Sequence, residues 1–381
     1  MDPETTRIRD DTTFYPYLYM AIELSNAQWK LGFTVGFGQP PRLRNVTARN
    51  LTALADEIHQ AKVRFGLAEN TPTLSCYEAG RDGFWLHRYL QTRGVTNLVV
   101  DSASIEVNRR KRRAKTDRMD VGKLLTMLIR YHMGEKKVWS VVNVPSLEEE
   151  DRRQLHRELM AVKAERTHHI NRIKGLLASQ GVMLPFKKDF LSDLEAVHLW
   201  DGSPLPANLY SRLLREYERY KSANQQINQI ECERAQAIRT SDDPVVEQVR
   251  QLLRLRGIGL NSAWLYVMEF FSWRNFKNRQ ELSSLAGLTP TPYQSGDSSR
   301  ERGISKAGNR HIRAMAIEVA WAWLHHQPDS KLSRWYQERF GQGGSRTRRI
   351  GIVALARRLL VELWKYLETG AIPDGALLKE A

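Results

Sequence analysis

The chain has 381 residues, 41% apolar and 27% charged, which excludes wholesale disorder and suggests two or three domains at roughly 150 residues each. Lysine and arginine number 58 against 43 aspartate and glutamate, and the formal charge of +15 points to a polyanion, nucleic acid first and an anionic membrane second. Two cysteines, Cys76 and Cys232, exclude a disulfide scaffold and a cysteine-rich zinc site. No apolar run approaches the ~18 residues of a membrane span, and the polar first twelve residues do not read as a signal peptide. A soluble intracellular protein is the expectation.

Residues 17–24 and 28–35 read as two strands joined by a turn at Ser25-Asn26-Ala27, with a weaker third strand at 43–47. Leu51, Leu54, Ile58 and Val63 have helical spacing. A strand at 73–77, a helix at about 82–92 and a strand at 96–100 complete the order βββαβαβ. That is the order of a ribonuclease-H-like domain: a hairpin-built edge, then parallel strands alternating with helices. A basic loop follows at 109–118, with seven basic residues and one acid, leading into a helix at about 117–132.

The middle of the chain is helical. Ser146 and Glu149 have capping-box spacing. Leu155, Leu159, Val162, Arg166, His169, Ile173 and Leu176 then form a coiled-coil-like seam with two polar positions. A turn at 202–206 separates it from a second helical run at about 209–238, so an antiparallel pair is expected, as a spacer or dimerisation arm. The last third is read as a helical domain. It holds Gly257 and Gly259 between two helical runs, a glycine- and serine-rich loop at 287–308, a helix at 309–326, a final helix at about 350–367 and a frayed tail after Gly370. The fold class is α/β plus all-α, with domains at 17–135, 146–240 and 244–370.

Four acids stand at positions where chemistry is possible. Glu23 ends the first strand, Glu78 follows the fourth, and Asp117 and Asp120 lie three apart at the start of a helix and so share a face. In a ribonuclease-H-like sheet the first and fourth strands are neighbours, so Glu23 and Glu78 would meet, and a helix crossing that end could add the two aspartates. Converging carboxylates repel unless cations lie between them. Mg2+, or Mn2+ in its place, suits all-oxygen ligands, and two such ions about 3.5–4 Å apart are the usual clamp for phosphodiester chemistry. Taken singly, Glu23 also reads as an exposed strand-end acid, Asp117 as a helix cap and Asp120 as a first-turn acid.

The cations divide into three groups. Arg109, Arg110, Arg112, Arg113 and Lys115 abut the aspartate pair and could neutralise phosphates there, or form a solvated loop. Gly257 and Gly259 resemble a helix-hairpin-helix turn, whose backbone N–H groups hold a phosphate, or serve as a plain turn. Arg300, Arg302, Lys306 and Arg310 surround Ser295, which precedes Gly296. Ser295 reads either as a nucleophile beside phosphate-binding cations or as part of a flexible loop, with Ser298, Ser299 and Ser305 as competitors. His168 and His169 are adjacent on a helix, do not face each other, and are read as seam and flank residues.

These motifs together resemble the IS110/IS1111 family of insertion-sequence transposases over nearly the whole chain. Residues 115–120 (Lys-Thr-Asp-Arg-Met-Asp) match the family's RuvC-like acidic domain. Gly257–Gly259, Ala286-Gly287-Leu288-Thr289-Pro290 with Ser295-Gly296, and residues 304–309 match its transposase domain. The resemblance implies a tetrad of Glu23, Glu78, Asp117 and Asp120, with Glu23 where the family has aspartate. It implies Ser295 as the nucleophile, forming a covalent phosphoserine link to DNA at a composite site. It further implies donor and target DNA as substrates, a noncoding guide RNA from the element's own ends, and a homodimer assembling to a tetramer on DNA. A metal-only nuclease and a non-catalytic nucleic-acid binder are the alternatives.

Overall fold

The computed structural model describes residues 16–105, 117–295 and 298–380, with the backbone alone over 117–120 and 292–302. The chain divides into two units, 1–145 and 146–381. The first is a mixed α/β sheet unit, compatible with a ribonuclease-H-like fold. It contains β1 (Leu18–Glu23), β2 (Gln28–Thr34), β3 (Arg42–Thr47), α1 (Leu51–Arg64), β4 (Thr73–Glu78), α2 (Trp85–Thr92), β5 (Thr96–Val100) and α3 (Asp117–His132). The sheet order is β3-β2-β1-β4-β5. β1 to β3 are antiparallel neighbours, whereas β4 runs parallel to both β1 and β5.

Strand alternation sorts the apolar residues onto two faces. Leu18, Met20, Ile22 and Tyr77 share a core with Leu54 of α1 and Leu86 and Leu90 of α2. Tyr19, Ala21, Leu74, Cys76 and Val100 pack instead with Val121, Leu124, Leu125 and Leu128 of α3. Gly32 of β2 lets α3 approach, because a Cβ there would run into Val121.

The second unit is helical. It contains α4 (Leu147–Asp151), α5 (Gln154–Ala178), α6 (Phe190–Glu195), α7 (Ala207–Thr240), α8 (Pro244–Leu253), α9 (Leu260–Tyr266) and a π-helical turn at Val267–Phe271. It continues with α10 (Arg279–Leu285), β6 (Pro290–Ser295), β7 (Ser298–Ile304), α11 (Arg310–His326), α12 (Lys331–Tyr336), a π-helical turn at Gln337–Gly341 and α13 (Ser345–Thr369). The seam of α5 is filled within the chain. Leu159 and Val162 meet Ile227 and Ile230 of α7, and Ile173 and Leu177 meet Leu213. Both polar seam positions are partnered: His169 Nδ1 lies 2.8 Å from Glu216 Oε2, and Arg166 donates to Asn224 at 3.4 Å. Among the described residues, no helix is long and apolar enough to cross a membrane.

Four expectations need correction. Ser146 and Glu149 do form a capping box, but it starts the five-residue α4, and the long helix restarts at Gln154. There the Arg153 side chain turns inward to lie over the Trp273 ring, 4.9 Å from its centroid. The glycine- and serine-rich loop is an antiparallel hairpin, β6–β7, whose backbone pairing needs no apolar alternation. The last helix begins at Ser345, five residues earlier than expected. The tail is docked: Lys379 N donates to Arg254 O at 2.7 Å, Arg256 N to Leu377 O at 3.2 Å, and Leu377 N to Gln327 Oε1 at 2.7 Å.

Candidate functional site

The two glutamates are brought together by topology. Ile22 pairs with Tyr77 across the parallel β1–β4 ladder, so the next residues, Glu23 and Glu78, end adjacent strands side by side. Alternation puts both on the face that Ala21 and Cys76 present to α3. Glu23 is half-buried with Lys30 opposite it on β2, and Glu78 is exposed. Tyr77 anchors the following loop by donating its hydroxyl hydrogen to Gly83 O at 3.1 Å.

α3 runs antiparallel to β1. Its later part meets the start of the strand, where Tyr19 Oη lies 2.8 Å from His132 Nδ1, and Val121 lies against Gly32, the partner of Ala21. Position 117 is four residues, about 6 Å of helix, before Val121. Glu23 is two residues, about 6.6 Å of strand, beyond Ala21. The backbone of the first turn of α3, with positions 117 and 120, therefore lies at the same end and on the same face of the sheet as Glu23 and Glu78. Oxygen-only donors from strand ends and a helix start fit a hard divalent cation such as Mg2+.

The basic loop residues Arg109, Arg110, Arg112, Arg113 and Lys115 lie outside the described residues. At the 257–259 turn, Gly257 has φ +84°, and a Cβ there would stand 3.3 Å from Ala322 O of α11. The Gly259 N–H donates to Ser262 Oγ at 3.1 Å, so that amide is occupied within the helix start. The turn packs α9 against α11, and Gly257 is glycine for that reason.

Ser295 ends β6, paired with Ser298 across the turn, while Tyr293 pairs with Arg300 and Gln294 with Ser299. The hairpin thus gathers Ser295, Ser298, Ser299 and Arg300 at its outer half, with Arg302 farther along β7. Ser305, Lys306 and Arg310 are at its base, about five residues or 17 Å of strand away from Ser295. That base is tightly built. Ser305 N donates to Thr289 O at 2.9 Å, Lys306 N to Gly287 O at 3.2 Å, and Arg313 Nη1 to Lys306 O at 2.9 Å. Lys306 has φ +56°, and Gly308 has φ +110° with no room for a Cβ against Leu285 O. Asn309 caps α11, its side chain accepting from His311 N and Ile312 N.

The sequence reading passed over the arginines of α13. Arg346, Arg348 and Arg349 form a dense basic run that was an available signal, but they fell before the expected helix start.

Comparison with known proteins bears on the whole chain. Residues 249–335 match the family described as Transposase IS116/IS110/IS902. The chain is 41% identical over 377 residues to y4rJ of Sinorhizobium fredii, named as a transposase, covering 95% of this chain and 94% of that protein. It is 26% identical over 220 residues to the transposase for insertion sequence element IS1328 of Yersinia enterocolitica, covering 57% of this chain and 63% of that one. It is 29% identical over 218 residues to the transposase for insertion sequence element IS1111A of Coxiella burnetii, covering 53% and 54%.

Proposed function

Since this chain belongs to the IS116/IS110/IS902 family of insertion-sequence transposases, we propose that it cuts and rejoins DNA with Ser295 as nucleophile and Glu23, Glu78, Asp117 and Asp120 as metal-holding acids. The observation that carries the acidic half of this reading is the in-register juxtaposition of Glu23 and Glu78 on the face covered by α3. Mg2+ held by these carboxylates would offset the charge on the phosphoryl oxygens. The RuvC-like assignment of the sheet unit belongs to this proposal, as does the choice of site by a noncoding RNA from the element's ends pairing with DNA.

In the covalent step the Ser295 hydroxyl gives up its proton and an Oγ–P bond forms. The P–O bond to one side of the scissile phosphate breaks, and the departing sugar oxygen leaves as a hydroxyl after taking a proton. A sugar hydroxyl from another strand reverses the step, releasing Ser295 and joining the strands. One phosphodiester replaces another, so no nucleotide hydrolysis is needed. The hairpin presents Ser295 at its end, two residue pairs from Arg300, whose cationic side chain suits a phosphate.

The test is a denaturing gel of protein incubated with its element DNA and RNA in Mg2+. Wild type and Ser298→Ala are expected to give a denaturant-resistant protein–DNA adduct, and Ser295→Ala none. An adduct from Ser295→Ala, or nicking without any adduct from wild type, would overturn the serine assignment; the latter would favour a metal-only nuclease.

A further inference from the structure

Arginines gather around α13 of the helical unit. Arg279 begins α10, Arg339 lies in the π-helical turn after α12, and Arg357 and Arg358 are on α13. α10 and α12 both pack on α13. Arg358 lies over the Trp335 ring, 3.9 Å from its centroid. Burial, and then the positive charges of Arg357, Arg339 and Arg279, hold its pKa below the ordinary arginine value. Arg346, Arg348 and Arg349 extend the cluster along the first turns of α13, which Tyr336 ties to α12 by donating to Arg348 O at 3.3 Å.

Two features mark this cluster. Arg152, Arg157, Arg172, Arg219 and Arg250 each pair with a carboxylate. None of the seven arginines above makes an ion pair with a described residue. Their charge order also opposes the helix. The first turn of α13 carries no acid, and its cap, Gly344, offers no side-chain hydrogen bond. A helix dipole favours anions there, and cations cost stability. The arrangement makes sense when an anion supplies the missing negative charge.

We infer that this arginine-rich surface of α13 binds the phosphate backbone of double-stranded DNA. Guanidinium groups match phosphate in a bidentate fork. Arg346, Arg349 and Arg357 share one stripe of α13, and the eleven residues from the first to the last span about 17 Å along the helix, a reach of about five base-pair steps at 3.4 Å. Single strands are held by exposed aromatic rings. Here Trp335 is covered by Arg358, and Phe340 is pressed on Gly351, so neither ring is offered to an unstacked base. The choice of DNA rests on membership of a transposase family and not on Ser295 or the acids. The surface lies mostly beyond the residues matched to the family, 249–335.

The test is equilibrium binding to a DNA duplex across a salt series in EDTA, where cleavage chemistry plays no part. Arg346→Gln, Arg348→Gln and Arg349→Gln together are expected to flatten the slope of log K against log[salt] by about 2.7, at about 0.9 per phosphate contact. Lysine at the same three positions should restore the slope. Thermal unfolding of the glutamine variant should not fall, because the lost charges opposed the dipole. Should that variant fold poorly, Arg346→Gln with Arg349→Gln is expected to remove about 1.8. An unchanged slope in a folded variant overturns the proposal, and so does a flattened slope on an RNA duplex with none on DNA. Loss of the Ser295 adduct with normal duplex binding would count against the cleavage reading alone.

Discussion

The two units handle charge differently. In the sheet unit Lys62 is the one charged residue buried among the described residues, its Nζ donating to Glu69 O, no carboxylate is buried, and apolar clusters fill both faces of the sheet. Its candidate glutamates, Glu23 and Glu78, sit at strand ends, where topology gathers them at the edge of a core that owes them nothing. The helical unit buries Arg153, Arg234, Glu216 and Glu269, together with His156. Arg234 is fully buried, donating to Asn261 Oδ1 at 3.0 Å, with its Nη2 2.7 Å from His156 Nδ1 and its guanidinium over the Trp264 ring. A sheet positions residues by register; packed helices can slide, and buried polar partners of fixed geometry select one packing at a cost in stability. The sheet unit is therefore expected to tolerate acid and surface substitution, and the helical unit to depend on particular protonation states.

Acid is the strongest way to separate the units. Burial first, then the charge of Arg234, lowers the His156 pKa to about 3. The folded form holds His156 neutral while the unfolded chain binds a proton below about pH 6.5, so the contribution to stability is whole above pH 6.5 and is lost as pH falls toward 3. The share of this one residue is about 4–5 kcal/mol across that window. Hydrogen exchange at pH 4 should show protection falling in 146–380 more than in 16–105, and His156→Asn should flatten the pH dependence. Equal loss in both units would erase the contrast.

Glycine substitutions probe how each candidate site is held. Gly308→Ala adds a Cβ against Leu285 O at a left-handed φ, and should lower stability by about 3–4 kcal/mol, measured by denaturant unfolding. Gly32→Ala meets only side-chain atoms, of Val121, Leu125 and Leu43, which can shift, and should cost about 1–3 kcal/mol. The reverse order would mean that the hairpin base is the softer anchor. The smallest effect is expected from Ser146→Ala, which removes the bond from Glu149 N to Ser146 Oγ and should lower the unfolding free energy by about 1 kcal/mol.

What the sequence revealed followed from apolar runs and helical spacing. The apolar and aromatic run at 17–24 and the strand-like run at 28–35, joined by the turn at Ser25-Asn26-Ala27, marked the first two strands, and the strand order predicted that Glu23 and Glu78 would be neighbours. The spacing of Leu124, Leu125, Leu128 and Ile129 marked α3, whose span agrees with the expected 117–132. The hairpin was illegible because Ser298–Ile304 has no apolar alternation; its pairing is backbone chemistry steadied by Gly287 and Gly308. The docked tail was missed for a related reason, since Gln327 and main-chain groups hold it rather than a periodic apolar face. The arginines at the start of α13 were overlooked because Arg346, Arg348 and Arg349 precede the expected start of that helix at about residue 350.

The most direct test of the carboxylate assignment is the rate of DNA strand cleavage by Glu78→Gln in Mg2+. Glutamine keeps the size of this exposed strand-end side chain and removes its charge. Loss of cleavage with an unchanged unfolding temperature and unchanged duplex binding is the predicted result. Cleavage at the wild-type rate would contradict it and return Glu78 to an ordinary acid at the end of a strand.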